Sequence, residues 1–240
     1  MVLGVTDAAT TSPDDPAGEA ALLAARQRAG RAIRELSHAF VGRHATRAQI
    51  DHLAETLEGI TAELWPQAHR SRGEHPFADR QAEVLPQGRF DHDFDDRPIS
   101  GKSSPYGLDL ELHRRGDEIE ALVTLRSAHE GAPDRSHGGI VAALFDDVFG
   151  FVLGVLAEAA FTGDLYIRYH APTPLFRPLA CRVRLAERDG RKLHLTGELT
   201  DVESGQMVAS ATATFITVDR EAFARRTAAR PAPPDDGSSA

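Results

Sequence analysis

Cysteine, lysine and asparagine are scarce or missing in this chain of 240 residues: Cys181 is the single cysteine, lysine occurs at two positions, and asparagine is absent. A single cysteine excludes a disulfide bond within the chain, and this usage is typical of proteins in a reducing compartment. Residues 1–16 have neither a basic start nor an apolar core, so they do not read as a secretory signal peptide. We therefore predict a cytoplasmic protein.

An excess of positive charge is also missing. The net charge is −9 at pH 7 and the isoelectric point is about 5.6, which excludes general nucleic-acid binding. The sequence contains no G-x-S-x-G nucleophile elbow, no G-x-x-x-x-G-K-[ST] phosphate loop and no G-x-G-x-x-G fingerprint. We therefore predict no nucleic-acid partner and no serine nucleophile, and we assign no cofactor.

Hydrophobic residues make up 41% of the chain and charged residues 26%, which is ordinary for a globular protein. The length suits one large domain, or one domain with an appendage. Changes in composition divide the chain into five segments. These are a disordered N-terminus at 1–16, a helical hairpin at 17–66, a wrapping loop at 67–103, a main domain at 104–219 and a disordered tail at 220–240.

Two amphipathic helices are predicted in the hairpin segment. The second begins at Thr46, with Gln49 three residues later as a capping-box signal, and Pro66 ends it. We expect the hairpin to pack on something, as a cover or an oligomer contact, with a separate binding module as the alternative. Its apolar stripes are Leu22, Ala29, Ile33, Leu36 and Phe40 in the first helix, and Ile50, Leu53, Leu57, Ile60 and Leu64 in the second.

The wrapping loop is rich in proline, glycine, aspartate, arginine and histidine, and it has little periodicity. Its acidic stretch at 91–96 offers oxygen and nitrogen donors for a metal ion. A solvated run of charges is the simpler interpretation of such a stretch. We therefore predict no metal site.

The remaining chain has the pattern strand, strand, helix and then four strands, with turns between them. One antiparallel sheet wrapped around one long apolar helix satisfies this order, which predicts an α+β fold. The first two strands form a hairpin around the turn at 114–117. The predicted strands are 108–113, 118–125, 164–170, 181–188, 192–201 and 207–218, and the helix spans 140–161.

The predicted helix at 140–161 is apolar on nearly every face, so it is either buried in protein or placed in a membrane. Asp146 and Asp147 lie near its middle, where carboxylates are costly in lipid. No basic anchors flank the helix closely. We therefore predict a helix that is enclosed by protein, without membrane insertion.

The most informative stretch is His137-Gly138-Gly139 at the start of this helix, with Asp146 nine residues after the histidine. Glycines let a ligand approach backbone amides closely, and the free N–H groups at a helix start form an oxyanion site. A carboxylate in an apolar wall can act as a general base or as a nucleophile. This combination suits acyl transfer to water.

Gly138 and Asp146 are eight residues apart, which corresponds to roughly 12 Å along one helix. A general base and an oxyanion donor must both lie about 3 Å from the reacting group. One helix cannot bring both groups to the same carbonyl, whereas two antiparallel copies can. If both groups are catalytic, the spacing predicts a homodimer with two shared sites.

Each candidate also has a structural interpretation. Asp146 and Asp147 point about 100° apart on the helix, and either could be a buried aspartate paired to a backbone amide or an arginine. At a helix start a histidine more commonly caps or orients than acts as a base, so we treat His137 as a positioning group. Thr162, which follows the predicted helix, is either a plain cap or a hydroxyl that directs a water.

The second half of the sequence resembles a known protein family. The segment from about residue 131 to residue 218 is similar to hotdog-fold acyl-CoA thioesterases of the phenylacetate-pathway (PaaI-like) type. The first hundred residues match no motif of that family. The resemblance is carried by Gly131-Ala-Pro-Asp-Arg-Ser-His137-Gly-Gly, Asp146, Thr162, Leu165-Tyr-Ile-Arg-Tyr169, Pro172, Pro174-Leu175 and Gly190-Arg191-Lys192.

The resemblance implies a hotdog fold and the hydrolysis of an acyl thioester, from acyl-CoA or an acyl-carrier protein, to a free acid and a thiol. The thioester carbonyl would sit against the amide of Gly138, next to His137. Asp146 would be the base or the nucleophile, and Thr162 would assist it. Arg191 and Lys192 are the candidates for CoA phosphates, with solvated turn charges as the alternative. The predicted substrate-binding residues are Gly139, Asp147, Arg191 and Lys192.

Many relatives carry a basic residue at the position before this proline, whereas this chain has Ala171 before Pro172. The absence of that basic residue weakens the case for nucleotide binding and leaves an acyl-carrier-protein substrate as an alternative. Two other functions stay open. Hotdog hydratases and dehydratases also act on acyl thioesters, although hydratases of that kind usually carry an asparagine that this chain lacks. The other is a non-catalytic acyl-thioester binding protein. The resemblance implies a homo-oligomer, either a dimer or a dimer of dimers.

Overall fold

The computed structural model describes residues 16–68, 70, 84–92 and 94–219. The predicted disordered ends lie outside these residues, apart from Pro16, which begins the first helix. The helices are α1 (Pro16–Gly42), α2 (Arg47–Leu64) and α3 (Gly138–Leu156). The strands are β1 (Gly88–Phe90), β2 (Glu111–Arg115), β3 (Glu118–Thr124), β4 (Ala160–Tyr169), β5 (Pro178–Asp189), β6 (Lys192–Asp201) and β7 (Met207–Thr217).

These strands form one antiparallel sheet with the order β1-β2-β3-β5-β6-β7-β4. β2 and β3 make the predicted hairpin, and Gly116 in its turn has a φ of 66°, a left-handed value that suits glycine. β5, β6 and β7 follow as a meander, and β4 pairs with β7 at the edge of the sheet. The predicted antiparallel sheet is therefore confirmed.

α3 lies against this sheet, which buries its apolar side chains. Phe145 and Phe149 are fully buried and stack at 6.0 Å between ring centroids, and Phe149 meets Phe215 of β7 edge-on. The helix is long and apolar enough to cross a membrane, but 61% of its most apolar stretch is buried inside the protein. The central helix enclosed by an antiparallel sheet, which defines the predicted α+β hotdog fold, is confirmed.

Two local predictions are wrong. Residues 88–90, assigned to the wrapping loop, form β1, which pairs with β2 and packs Phe90 against Phe151. The central helix ends at Leu156 rather than at residue 161, because Ala157 adopts a left-handed φ of 54° and closes it. The residues that follow are recruited into β4 by pairing with β7.

α1 docks on the hotdog domain through polar side chains. Arg34 is 5% exposed and donates hydrogen bonds to the carbonyls of Lys102 and Ser104. It also pairs with the carboxylate of Asp109 at 2.6 Å. A buried guanidinium is tolerated when several acceptors and an opposite charge satisfy it, so these contacts anchor the helix to the loop before β2.

The C-terminal half of α1 rests on a short 3-10 helix, Ser127–His129, which precedes α3 in the chain. His38 accepts a hydrogen bond from the amide of Ala128, and its ring meets that of His129 edge-on at 4.8 Å. Burial, with smaller contributions from His38 and Arg126, lowers the pKa of His129 to about 4. The pKa of His38 is also lowered, chiefly by burial. Burial at this contact therefore favours the neutral form of both histidines.

The apolar stripes of both N-terminal helices face solvent. Leu22, Ile33 and Phe40 of α1 are 54%, 47% and 55% exposed, and no residue of α2 is buried. Thr46 and Gln49 form a capping box, so α2 begins where the sequence predicts. Both predicted helices are present. Within a single chain, α2 makes no substantial contact with any other helix or strand that the structure describes.

Acidification is expected to weaken the contact between α1 and the 3-10 helix. An unfolded histidine takes up a proton near pH 6.5, whereas folded His129 takes one up only near pH 4, so unfolding becomes easier as the pH falls between these values. We expect His129 to lower the free energy of unfolding by about 1–2 kcal/mol between pH 7 and pH 5. Urea unfolding at both pH values measures this change.

His129→Gln is the matched variant, because glutamine keeps an acceptor for the amide of Arg126 that His129 now binds. Its free energy of unfolding should change less with pH than that of the wild type. A remaining dependence is expected in both proteins, since burial also lowers the pKa of His92 to about 4. Equal pH dependence in the two proteins would show that this contact does not titrate.

Candidate active site

The start of α3 is organised by His137, its N-cap residue. The backbone of His137 is extended (φ −64°, ψ 135°), and its Nδ1 accepts a hydrogen bond from the amide of Gly139 at 2.9 Å. A neutral ring in this arrangement carries its proton on Nε2. The side chain of His137 therefore caps and orients the helix start. The amide of Gly139, a predicted substrate-binding residue, is already used by this bond.

The amide of Gly138 differs from the others in the first turn. The amides of Ile140 and Val141 donate to the carbonyl of His137, and that of Gly139 donates to its ring. In the described part of the chain, the N–H of Gly138 has no hydrogen-bond partner. It lies at the positive end of the α3 dipole, so it is suited to bind an oxyanion.

Tyr169, the last residue of β4, contacts the same glycine. Its hydroxyl donates to the carbonyl of Gly138 at 2.8 Å, and a Cβ at position 138 would lie 3.0 Å from that hydroxyl. This contact joins the start of α3 to the end of the edge strand. Sequence reasoning missed it because the two residues are 31 positions apart, and strand periodicity does not give a side chain's partner.

A cleft of about 430 Å³ opens beside Gly138 and Tyr169. Its wall includes Arg135, which carries a guanidinium group, together with His170 and Thr173. The volume is in the range of small-molecule sites, and the free amide lies at its edge. The cleft can therefore hold part of an extended ligand whose reacting carbonyl meets the start of α3.

Asp146 lies on an exposed part of α3, beyond the helix start. The hydroxyl of Thr162, on β4, donates to one carboxylate oxygen of Asp146 at 2.9 Å. Both residues were predicted to be catalytic, and the structure brings them together although they are 16 positions apart in the sequence. The hydrogen bond fixes one carboxylate oxygen and leaves the other available to a substrate or a water.

Asp147 points away from Asp146 and is 8% exposed. Arg97 binds it at 3.0 Å through Nε and also donates to its backbone carbonyl. The guanidinium lies 4.6 Å from the ring centre of Phe151, and a Cβ at Gly150 would come within 2.5 Å of it. This burial and pairing make Asp147 an anchor for the wrapping loop and do not support its prediction as a substrate-binding residue.

Arg191 and Lys192, the other predicted substrate-binding residues, lie at the turn between β5 and β6. Arg191 donates to the carbonyl of Thr217, and Lys192 is exposed at the start of β6. Lys192 pairs with Ile216 of β7, which in turn pairs with Phe161 of β4. The lysine therefore lies two strands, about 10 Å, from the start of β4.

The predicted catalytic residues form two separate groups in one chain. His137 and Gly138 lie beside Tyr169, at the end of β4, whereas Asp146 lies beside Thr162, near its start. Seven residues of strand separate these two ends, which corresponds to roughly 23 Å. A single chain therefore does not bring the two groups of predicted catalytic residues together.

The described residues contain no cluster of side chains that could bind a metal ion. Among the residues that the structure describes, no group of three histidine, cysteine, aspartate or glutamate side chains could hold a metal ion. In the acidic stretch, Asp91 pairs with Lys102 and Asp95 accepts from Gln27, while residue 93 lies outside the description. Cys181 is buried in β5, and this burial raises the pKa of its thiol, so it is a poor nucleophile.

The fold and these two groups correspond to a known superfamily. Residues 123–237 match the family model described as the thioesterase-like superfamily. This segment runs from β3 through α3 to β7 and contains both groups of candidate residues. This part of the chain is therefore similar to the thioesterase-like superfamily, and the hotdog thioesterase resemblance noted in the sequence is confirmed.

Individual relatives agree with this assignment. Acyl-coenzyme A thioesterase THEM4 of Bos taurus is 27% identical over 117 residues, which is 48% of this chain and 48% of that protein. THEM4 of Mus musculus is 30% identical over 92 residues, 38% of this chain and 40% of that protein. The chain thus spans about half the length of these relatives or less. The crystal structure of a thioesterase superfamily protein is 28% identical, has a TM-score of 0.67, and covers 80% of this chain and 90% of its own.

The two neighbouring aspartates should differ in their effect on stability. Asp147→Asn removes the buried charge that pairs with half-buried Arg97, so we expect a loss of about 1–3 kcal/mol in the free energy of unfolding. Asp146→Asn changes an exposed side chain, and we expect a loss below about 0.5 kcal/mol. Denaturant unfolding of both variants measures the difference. Equal losses would mean that the ion pair is not an anchor.

Proposed function

We propose that the protein hydrolyses acyl-CoA thioesters, with the amide of Gly138 binding the carbonyl oxygen and Asp146 acting as base or nucleophile. One observation carries this proposal. The same helix begins with an amide that has no partner among the described residues and exposes, further along, a carboxylate that Thr162 holds. Thioester hydrolysis needs an oxyanion donor and a base or nucleophile, and both are present.

The relatives support this substrate class. Both THEM4 proteins are named acyl-coenzyme A thioesterases, and the family segment includes both groups of candidate residues. The matches cover half of those proteins or less. The proposed activity of this chain therefore rests on its own candidate residues together with the activity for which the relatives are named.

We further propose that two copies pair along β4. This strand has ten residues, lies at the edge of the sheet and is exposed along most of its length. Long exposed edge strands present unpaired N–H and C=O groups that readily pair with another chain. Antiparallel pairing of two such edges would extend the sheet across a homodimer.

The positions along β4 suit a shared site. A two-fold axis between Leu165 and Tyr166, one residue past the middle of the strand, would bring Thr162 of one copy opposite Tyr169 of the second. Thr162 binds Asp146, and Tyr169 binds Gly138. The pairing therefore directs the carboxylate of one copy towards the free amide of the other, twice in each dimer.

The proposed reaction is addition to the thioester carbonyl followed by loss of the thiol. Asp146 either takes a proton from an attacking water or attacks with its own oxygen, and the carbonyl oxygen gains negative charge at the amide of Gly138. The C–S bond then breaks, and the thiolate takes up a proton. Direct attack leaves an anhydride on Asp146, which a water hydrolyses. Both routes give a free acid and a thiol.

We propose that Arg191 and Lys192 contact CoA phosphates from the sheet end near Thr162, while a substrate carried by an acyl-carrier protein is the alternative. Association of two dimers into a tetramer and a cytoplasmic location are further proposals, and the location rests on the single cysteine of the sequence.

Thiol release from short, medium, long and aryl acyl-CoAs tests the activity. We expect wild-type turnover, and a loss of about 10²-fold or more in Asp146→Asn because the base or nucleophile is gone. Asp147→Asn is the matched control and should lose less. Wild-type rate in Asp146→Asn would refute the mechanism. If the wild type releases no thiol from CoA or carrier thioesters, the protein is not a hydrolase, and enoyl-CoA hydration or simple binding would explain the fold.

Gly138→Pro tests the amide directly, because proline removes the N–H yet is well accepted at the first position of a helix. The extended backbone of His137 already has the conformation that a following proline requires. We expect kcat to fall about 10²–10³-fold in Gly138→Pro. Gly138→Ala keeps the N–H and is the control. Equal kcat in the two variants would exclude the amide as the oxyanion donor.

Mixing the two inactive chains tests the shared site. A heterodimer of Asp146→Asn with Gly138→Pro has one site with both groups intact and one with neither. Random pairing of equal amounts should therefore restore about a quarter of the wild-type activity. The assay is thiol release after co-refolding, with each variant refolded alone as the control. Absence of any recovery would place both groups in sites within one chain.

A further inference from the structure

α2 has no surface to pack against in the described part of its own chain. None of its residues is buried, and Leu64 and Trp65 at its end are 66% and 56% exposed. A lone helix of this length is marginal in water, because helices in proteins are stabilised chiefly by packing an apolar face. The apolar stripe of α2 has the alternating three- and four-residue spacing of a coiled-coil seam: Ile50, Leu53, Leu57, Ile60 and Leu64.

A matching surface lies on α1. The face that α1 turns to the hotdog domain is polar and carries Gln27, Arg34 and His38. Its apolar stripe lies about 150° around the helix and, from Ala29 onwards, repeats at the same three- and four-residue spacing. Most of the stripe is exposed, and Leu36 is half-buried. The stripe consists of Leu22, Ala29, Ile33, Leu36 and Phe40, and three small residues beside it allow close approach: Ala25, Ala32 and Ala39.

The two helices carry opposite charge. Apart from Arg34, which is buried and paired with Asp109, α1 contains three arginines and two glutamates, a net charge of +1, whereas α2 contains four acidic residues and one arginine, a net charge of −3. Opposite charges on two helices favour their association and select the partner. The two helices are therefore complementary in the spacing of their apolar stripes and in their charge.

The contact is not made within the chain. Residues 43–46 join the two helices, a length that would permit a hairpin, yet α2 does not fold back along α1. Both stripes are consequently left exposed in a single copy. The shared site under the proposed function already pairs two copies, and this inference rests on that pairing, so each stripe can meet the complementary helix of the second copy.

We propose that α2 of one copy packs its apolar stripe against the apolar stripe of α1 in a second copy. With two-fold symmetry the contact is reciprocal, so α2 of the second copy also covers α1 of the first. Two such helix pairs form in each assembly and remove both stripes of both chains from water.

Two other occupants are disfavoured by charge. Pairing of α2 with another α2 would bring two helices of net charge −3 together, which costs free energy. A membrane surface attracts amphipathic helices whose polar faces are rich in lysine and arginine, and α2 has one arginine against four acidic residues.

A photo-cross-linking residue in α2 identifies the occupant. Leu57→p-benzoylphenylalanine places the probe in the middle of the stripe, and Ala62→p-benzoylphenylalanine places it on the opposite face as the control. After illumination of the full-length protein, denaturing electrophoresis separates products of single and double mass, and mass spectrometry maps the joined peptides. We expect a double-mass product that joins α2 to α1, formed from position 57 and much less from position 62.

Each other product contradicts the proposal. A single-mass product joining α2 to α1 would show that the helices fold back within one chain. A product joining α2 to α2 would show pairing of like helices. A product with another segment, or no product at all, would show that the α1 stripe is not the partner surface.

Sedimentation analysis of a second pair of variants measures how far the contact holds the assembly together. Leu57→Gln with Ile60→Gln makes the stripe polar, while His52→Gln with Ala62→Gln makes the same kind of change on the other faces of α2. We expect the first pair to raise the concentration needed to maintain the largest assembly at least about tenfold, and the second to leave it unchanged. Equal behaviour of the two pairs would overturn the proposal. Neither experiment uses hydrolysis, so both stand apart from the proposed activity.

Discussion

The enclosure of α3 is the constraint on which the other features depend. A helix this apolar has to be covered on nearly every side, and the antiparallel sheet covers most of it. Two polar features interrupt this cover. Asp147 is buried and pairs with the cation of Arg97, whereas Asp146 is exposed to solvent and can contact a ligand. The adjacent aspartates thus have different tasks because the sheet and loop enclose one and not the other.

Much of the fold follows from local patterns in the sequence. Alternation predicted the hairpin of β2 and β3 and the full extent of β6, and the apolar run predicted the central helix. Thr46 with Gln49 marked the start of α2, because a capping box is complete within four residues. The helix start with a free glycine amide could be located for the same reason, since His137 and the glycines are neighbours in the chain.

Contacts between distant segments could not be predicted. Arg97 stands in a stretch without periodicity, 50 residues from the carbonyl it binds, and no pattern distinguishes it from other loop arginines. Tyr169 was placed on a strand, but its partner depended on how α3 and β4 meet. For α1 the pattern was misleading about the docked face, because Arg34 finds buried acceptors that outweigh an apolar stripe left in water. Hydrophobic periodicity identifies which face must be covered, not which contact covers it.

The ion pair of Arg97 with Asp147 also bears on where the folding unit begins. The family segment starts at residue 123, yet the cation that neutralises a buried carboxylate of its central helix comes from outside that segment. β1, which closes over Phe151, comes from the same preceding stretch. A chain cut at the family boundary would retain the charge and lose both its counter-ion and its cover. The boundary drawn by family likeness is therefore not the boundary of an autonomous domain.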